Sequence, residues 1–555
     1  MANYVSKHTG AAIDAAVEKV PVIEKNVAAL NEEIRKQIGS TRPQMFGAVG
    51  DGIADDTDAI QAALDMGGEV YIPTGRYKIT RTLFIGSNTS VFGDGDGTVI
   101  FLGDNGANLT PHYWYPEDVE PAYPDYYPYI TTRENSHSIR IAWLRVEGNT
   151  EKASTNIHVG ICAESATNVV VEHVSVWKIN YFPQNAPPRP SGQWRTGWNV
   201  AFLRCNRVEL AHSVVQYGAY ECIRVGPYTE NAWVHDCLVE YGWRTGFQVL
   251  RGCNNVVFER CIVNQDDFDA YDTNACITLH SADDDHINYV LIRDCILTGK
   301  LFSGTAGGGG ISIVYKGADE IIIDNTTINV NAEELPGLML KGLTRVVRSN
   351  INSYCYTIVG DETAEIYVDD SVLVSARTDK PNVIVYCDTT INRSKVVSAH
   401  HGVVAMPLDQ KNVHLSIFDS SINVNVQDTA AASVLIQKLA SKAGVVSFDI
   451  SGNQLNSKMY IDQTDGTTVR KCTIADNTIS PAKSNRGIHI PSTATTEYKL
   501  LTIRDNVVTQ GANGILINSA GAAVITGNDV SGCTSGITAT NEKNIIKDNI
   551  LPATT

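Results

Sequence analysis

Near the C-terminus one phrase recurs with small variations: ISGNQL, IADNTI, IRDNVV, ITGNDV and IKDNIL. Its asparagines, Asn453, Asn477, Asn506, Asn528 and Asn549, are spaced by 24, 29, 22 and 21 residues. Further upstream, VVQYGAYECIRV (214–225) matches LVEYGWRTGFQV (238–249) at a step of 24. A unit this short cannot bury its own apolar face and must stack on copies of itself. The runs alternate (IRV, FQV, ITL, ISI) and are rich in Val, Ile and Thr, which favours strands. The pattern of leucine-rich repeats is missing. A coil of about two dozen residues accommodates three short strands and three turns. Successive coils then pair in parallel, roughly 4.8 Å apart. The expected fold is all-β, a single-stranded parallel β-helix, or solenoid. Like residues stack in it, so an asparagine can bond its copies above and below.

The chain has 555 residues, 43% hydrophobic and 19% charged, which suits a packed protein with little disorder. The net charge of −17 argues against a nucleic-acid partner. It would repel an acidic sugar polymer at long range unless a local basic patch overrides it. No apolar run is long enough for a membrane span. MANYVSKHTG offers none for a signal peptide, so synthesis in the cytoplasm without one is expected. The twelve cysteines include no CxxC. Several recur in equivalent places (HDCLVEY, ERCIVNQ, RDCILTG) and read as small buried hydrophobes.

Residues 1–42 read as an N-terminal helix with a linker. Ile13, Val17, Val20, Ile23, Val27, Leu30, Ile34 and Ile38 form one narrow stripe, interrupted at Pro21. Such a stripe suits a short trimerisation coiled coil, or a helix lying on the body. Residues 43–80 read as the helix-capped start of the solenoid, because an open end exposes core and strand edges. In ADDTDAIQAAL, one of Asp55, Asp56 and Thr57 caps a helix whose apolar side is Ile60, Ala63 and Leu64. The aspartates around Asp51 fail the calcium-loop pattern, since no Glu stands at its twelfth position. Residues 81–400 carry the main helix with groove-forming loops. Residues 401–555 are C-terminal coils with few aromatics, read as stem or trimer-contact surface.

FGAVGDGIADDTDAIQAAL followed by GGEVYIPTGRYKI resembles the start of the pectate-lyase-like superfamily of right-handed parallel β-helices. The preceding SKHTGAAIDAAVEKV resembles segments of bacteriophage tail proteins. Together they resemble a phage tailspike or capsule depolymerase. The resemblance implies a right-handed helix, a homotrimer and a place on the virion tail among other phage tail proteins. It also implies a partner in a bacterial capsular or other surface polysaccharide. The implied activity is a glycoside hydrolase without cofactor. The alternatives are a polysaccharide lyase of the same fold, with calcium possible, or a non-catalytic receptor-binding fibre. Asp283, Asp284 and Asp285 of HSADDDH would be the calcium candidates, though a solvated turn also explains them. The polygalacturonase-like motif set is incomplete, QDD at 265–267 being its nearest fragment.

Aligning the clearest strand of each coil stacks GICAE (160), NVAFL (199), CIRVG (222), GFQVL (246), CITLH (276) and GISIV (310). Alternation places Ile223 and Val225 inside, and Arg224, Gln248, Thr278 and Ser312 outside in one row, the expected floor of a groove. The long insertions 178–198, 264–275 and 299–310 precede these strands and should form one wall. Trp194, Trp198, Tyr220 and Trp243 lie on or beside it. They would serve either as sugar-stacking rings or as loop packing. Arg244 and His280 complete the expected binding set. Glycosidic cleavage uses two carboxyls. Glu221 precedes the CIRV strand, and the insertion two coils up supplies Asp266, Asp267, Asp269 and Asp272. Glu240 and Glu164 are reserves. Carboxyls two coils apart approach about 9.5 Å, which leans towards inversion.

Overall fold

In the computed structural model the described residues run from Gly39 to Ala553. Outside the description lie 1–38, 104–105, 107, 113–124, 149–156, 180–196, 243, 266–274, 282–285, 300–308, 315–317, 333–334, 407–411, 426–429, 438–445, 463–467, 470, 493, 495–496, 519–521 and 554–555.

The chain winds through three parallel sheets, here named A, B and C, with 18, 17 and 17 described strands. One turn shows the pattern: Glu221–Val225 in sheet C, Glu230–His235 in sheet A, Leu238–Glu240 in sheet B, then Thr245–Leu250 back in sheet C. Each strand pairs in parallel with its copies one coil below and above. This is the expected right-handed parallel β-helix. Inward residues of all three sheets form one continuous core from Ala48 to Cys533.

The turn from sheet A to sheet B is the tightest and explains the repeated phrase. One residue there takes the left-handed conformation, as at Asp236 (φ 53°), Arg260 (φ 50°), Asp294 (φ 54°) and Asp476 (φ 57°). Asp, Asn and Gly tolerate this region best, which accounts for the DN and GN pairs. The next residue points inward. In successive coils it is Cys237, Cys261 and Cys295, then Thr326, Ser349, Ser371, Ser394 and Ser420, then the five asparagines. From Cys295 onward each backbone N–H of this column donates to the side-chain oxygen of the next coil's residue. The stacked asparagines are therefore real. All twelve cysteines are buried thiols.

A helix, α1 (Thr57–Asp65), closes the N-terminal end and buries Ile60, Ala63 and Leu64 against the core. Asp56 is the residue before it, but its carboxylate accepts from the backbone N–H of Val49 and Gly50 instead of capping α1. Asp55 accepts from Thr57 N–H and hydroxyl, and Asp51 accepts from Ile53 and Ala54 N–H. These aspartates tie loops together. The first strand is Asp51–Asp55, before α1 and not after it as the sequence suggests. Five residues of mostly small or charged type gave no strand signal. The stripe at 11–38 lies outside the described residues. No described helix is long and apolar enough to cross a membrane.

Candidate functional site

Sheet C carries the expected row in the expected register: Arg224 opposes Gln248, Gln248 opposes Thr278, and Thr278 opposes Ser312. Cys222, Ile223 and Val225 belong to the central core. The partners of Glu221 and Arg224 one coil below, Trp198 and Ala201, belong instead to a separate apolar cluster. Glu221 and Arg224 therefore share the outer face of sheet C. The expectation of an open groove floor needs correction here. Gln248 (1% exposed), Thr278 (7%) and Ser312 (0%) are buried. Alternation fixes which face a side chain takes, but not what lies over that face.

Glu221 is completely buried. Its Oε2 lies 3.3 Å from Arg224 Nη2 and its Oε1 3.7 Å from Arg244 Nη1. Neither oxygen has a hydrogen-bond partner among the described residues. Arg224 also donates to Gln248 Oε1 at 2.5 Å and lies over the Trp198 ring, 4.0 Å from its centroid. Arg244 donates to Tyr220 Oη at 2.6 Å and lies over that ring at 4.7 Å. Trp198 and Tyr220, read as either sugar-stacking rings or packing, are buried and offer a face to a guanidinium each. His280 ends strand Ala275–His280. Burial, with Arg244, Arg224 and Arg251 adding, pushes it down to about 4, so it is neutral at pH 7. The site is thus a local basic patch in an acidic protein. Arg251 was not singled out in the sequence. Its signal is its place beyond the end of strand Thr245–Leu250, one coil below His280.

The insertions enter and leave the rod between the same two sheets. Residues 178–196, 266–274 and 300–308 all connect a sheet B strand to the next sheet C strand. The 266–274 connection ends at Ala275, which stacks through Thr245 directly over Glu221, two coils below. It begins at Gln265, which is buried with neither amide atom partnered among the described residues. Asp266, Asp267, Asp269, Asp272, Trp194, Trp243, Asp283, Asp284 and Asp285 lie outside the described residues.

The two reserve acids are held elsewhere. Glu240 sits in a ladder of sheet B, accepting from Gln216 Nε2 at 2.5 Å and Asn264 Nδ2 at 3.5 Å. It is not among the partners of the Glu221 cluster. Glu164 ends its sheet C strand between His112, whose Nδ1 it contacts, and Arg204, with which it forms an ion pair. Burial and Arg204 lower the His112 pKa. His112 and Arg204 gave no sequence signal, because their contact with Glu164 spans 52 and 40 residues. Among the described residues one group, His212, His235 and Asp236, has the spacing of metal ligands. Its atoms are already engaged: His235 with Asp236 and Glu209, and Asp236 with Arg260.

Residues 44–265 match the family model described as rhamnogalacturonase A/epimerase, pectate lyase-like, and residues 457–551 match that of the right-handed beta helix region. With the three parallel sheets, these matches define a right-handed parallel β-helix, similar over residues 44–265 to pectate-lyase-like proteins. Alginate lyase 7 of Azotobacter vinelandii is 49% identical over 72 residues, 11% of this chain and 8% of that protein. The pre-neck appendage protein of Bacillus phage B103 is 42% identical over 69 residues, 12% of this chain and 8% of that protein. The chain therefore spans less than a tenth of the length of either relative. Among solved structures, the A-module of mannuronan C-5 epimerase AlgE6 of Azotobacter vinelandii aligns with a TM-score of 0.47 and 16% identity. That alignment covers 74% of this chain and 98% of the module.

Proposed function

We propose that the chain is a tailspike-type depolymerase that hydrolyses a bacterial surface polysaccharide over the outer face of sheet C. The observation that carries this reading is Glu221: a fully buried carboxylate without a hydrogen bond among the described residues, held only by Arg224 and Arg244. Buried carboxylates are ordinarily hydrogen-bonded, so an unsatisfied one calls for a reason, and a role in the reaction supplies it. In hydrolysis one carboxyl protonates the glycosidic oxygen and a second carboxylate takes a proton from the attacking water. Of the two roles we assign Glu221 the second, beside the guanidiniums of Arg224 and Arg244. Asp266, Asp267, Asp269 or Asp272 supplies the acid, from the connection anchored two coils above. Glu221 has no exposed surface, so productive binding requires local movement around it. The likeness to a phage appendage protein supports a place on a virion, and trimerisation through residues 1–42 belongs to the same reading. The test is incubation with purified bacterial capsules. New reducing ends on saturated products, absent with Glu221→Gln, are expected; intact polymer with every capsule would overturn the reading.

A second reading, β-elimination, is favoured by His280. A neutral imidazole ringed by Arg224, Arg244 and Arg251 can take the C5 proton of a uronate while guanidiniums neutralise its carboxylate, expelling the C4 oxygen. Unsaturated products, seen by their ultraviolet absorbance, would establish this reading in place of hydrolysis. Calcium dependence of that activity would accompany it.

A further inference from the structure

A second set of unpartnered polar groups lies on the same corner of the rod, C-terminal to Glu221. A cleft of about 380 Å³ opens where four sheet B strands of successive coils end: Ile296–Gly299, Thr327–Val330, Asn350–Ser353 and Val372–Ser375. This volume is within the range of about 300–1,000 Å³ usual for small-molecule pockets. Its polar lining is Thr298, Asn329, Asn331, Asn352 and Ser353, beside the ring of Tyr354, which is 40% exposed. Val330 and Val374 supply apolar surface, and no lining residue is charged.

Asn352 Nδ2 donates to Asn329 Oδ1 at 3.0 Å. That bond leaves Asn329 Nδ2 and Asn352 Oδ1 without a partner among the described residues. Ser353 is 5% exposed, and its buried hydroxyl has no partner among them either. The backbone beneath is fixed: Asn331 N–H donates to Gly299 O, Tyr354 N–H to Val330 O, and Arg377 N–H to Tyr354 O. A purely apolar ligand would leave the amides and hydroxyl unsatisfied, at a cost. A charged ligand would find no counter-ion. A neutral sugar offers both hydroxyls for the amides and a C–H face for the tyrosine ring.

We propose that this cleft is a second carbohydrate-binding site, taking an uncharged sugar unit. It begins three coils above Glu221 and extends to the sixth, about 15–30 Å along the rod. The proposal does not depend on what Glu221 does. Its test uses the full chain with short linear glucans, mannans and galactans, followed by saturation-transfer NMR and calorimetry. The parent protein and Glu221→Gln bind at least one of these equally. Asn352→Ala and Tyr354→Ala, both at exposed positions, weaken that binding roughly tenfold, as expected for loss of a hydrogen bond or a stacking face. Failure of all three probe classes to bind overturns the proposal. So does binding that survives both cleft variants, binding lost in Glu221→Gln, or binding confined to uronate oligomers.

Discussion

Glu221 is the residue on which stability and activity pull apart. Arg224 and Arg244 are also held by Gln248 and Tyr220, but Glu221 is the acidic group paired with both, so Glu221→Ala would remove that compensating charge. Removing one partner of a buried ion pair typically costs about 3–5 kcal/mol. Glu221→Gln keeps the shape. It should lower turnover by roughly 10²–10⁴ with the circular dichroism spectrum unchanged. An unchanged rate would remove Glu221 from the chemistry. His280 gives a pH signature. Its pKa falls from 6.5 to about 4 in the folded chain, so the unfolded state binds the extra proton between those values. Stability should therefore drop as pH falls from about 6.5 towards 4. His280→Gln should flatten that part of a melting-temperature profile. His235 has the opposite sign. Burial opposes its protonation, but hydrogen bonds and charge from Glu209 and Asp236 outweigh burial and raise its pKa. Its contribution is present at low pH and lost on alkalinisation. At this scale the sequence was legible as to face and not as to environment. Alternation put Arg224 and Gln248 in one outward row. That Arg224 covers Trp198, or that three arginines surround His280, follows from contacts between coils, which local pattern does not encode.

Among the elements, the inward column at the sheet A to sheet B turn orders the coils. Asn506 shows why. The two hydrogens on its Nδ2 are shared among Ile474 O, Arg504 O and Asn528 Oδ1, all within 3.0 Å, and its Oδ1 accepts from the backbone and side chain of Asn477. Asn506→Ala should cost about 1–3 kcal/mol for each buried group left unpaired. Asn549→Ala, on the exposed last coil, should cost far less. Thermal melts of the two variants compare them directly, and equal effects would deny the column its role. Gly246 is constrained by its neighbours, since a Cβ there would meet Val263 Cγ1 at 2.5 Å and Cys276 O at 2.9 Å. This layer was the most legible of all. The six stacked strands of sheet C fall in the register that alignment of the repeats gives, because a step of one residue would turn every core side chain outward. The strand Asp51–Asp55 was not legible, because it is short, mostly exposed and lies before the first recognisable repeat.

As a whole, the molecule is a one-dimensional stack in which each coil touches its neighbours only, so its stability is graded along the axis. The N-terminal end is closed by α1. The C-terminal end leaves Ile545 (52%), Ile546 (46%), Ile550 (58%) and Leu551 (55%) exposed. Hydrogen exchange should therefore run fastest through residues 533–551 and slowest in the middle coils. Uniform exchange would mean that the rod opens as one unit. The column of hydroxyls and amides has a further consequence. Between Thr326 and Asn528 each rung passes one hydrogen upward and receives another from beneath, so a rung copied or excised entire leaves two matching surfaces to rejoin. Rods of this kind can change length by complete turns without inventing any new junction, whereas one residue lost within a turn would misalign everything above it.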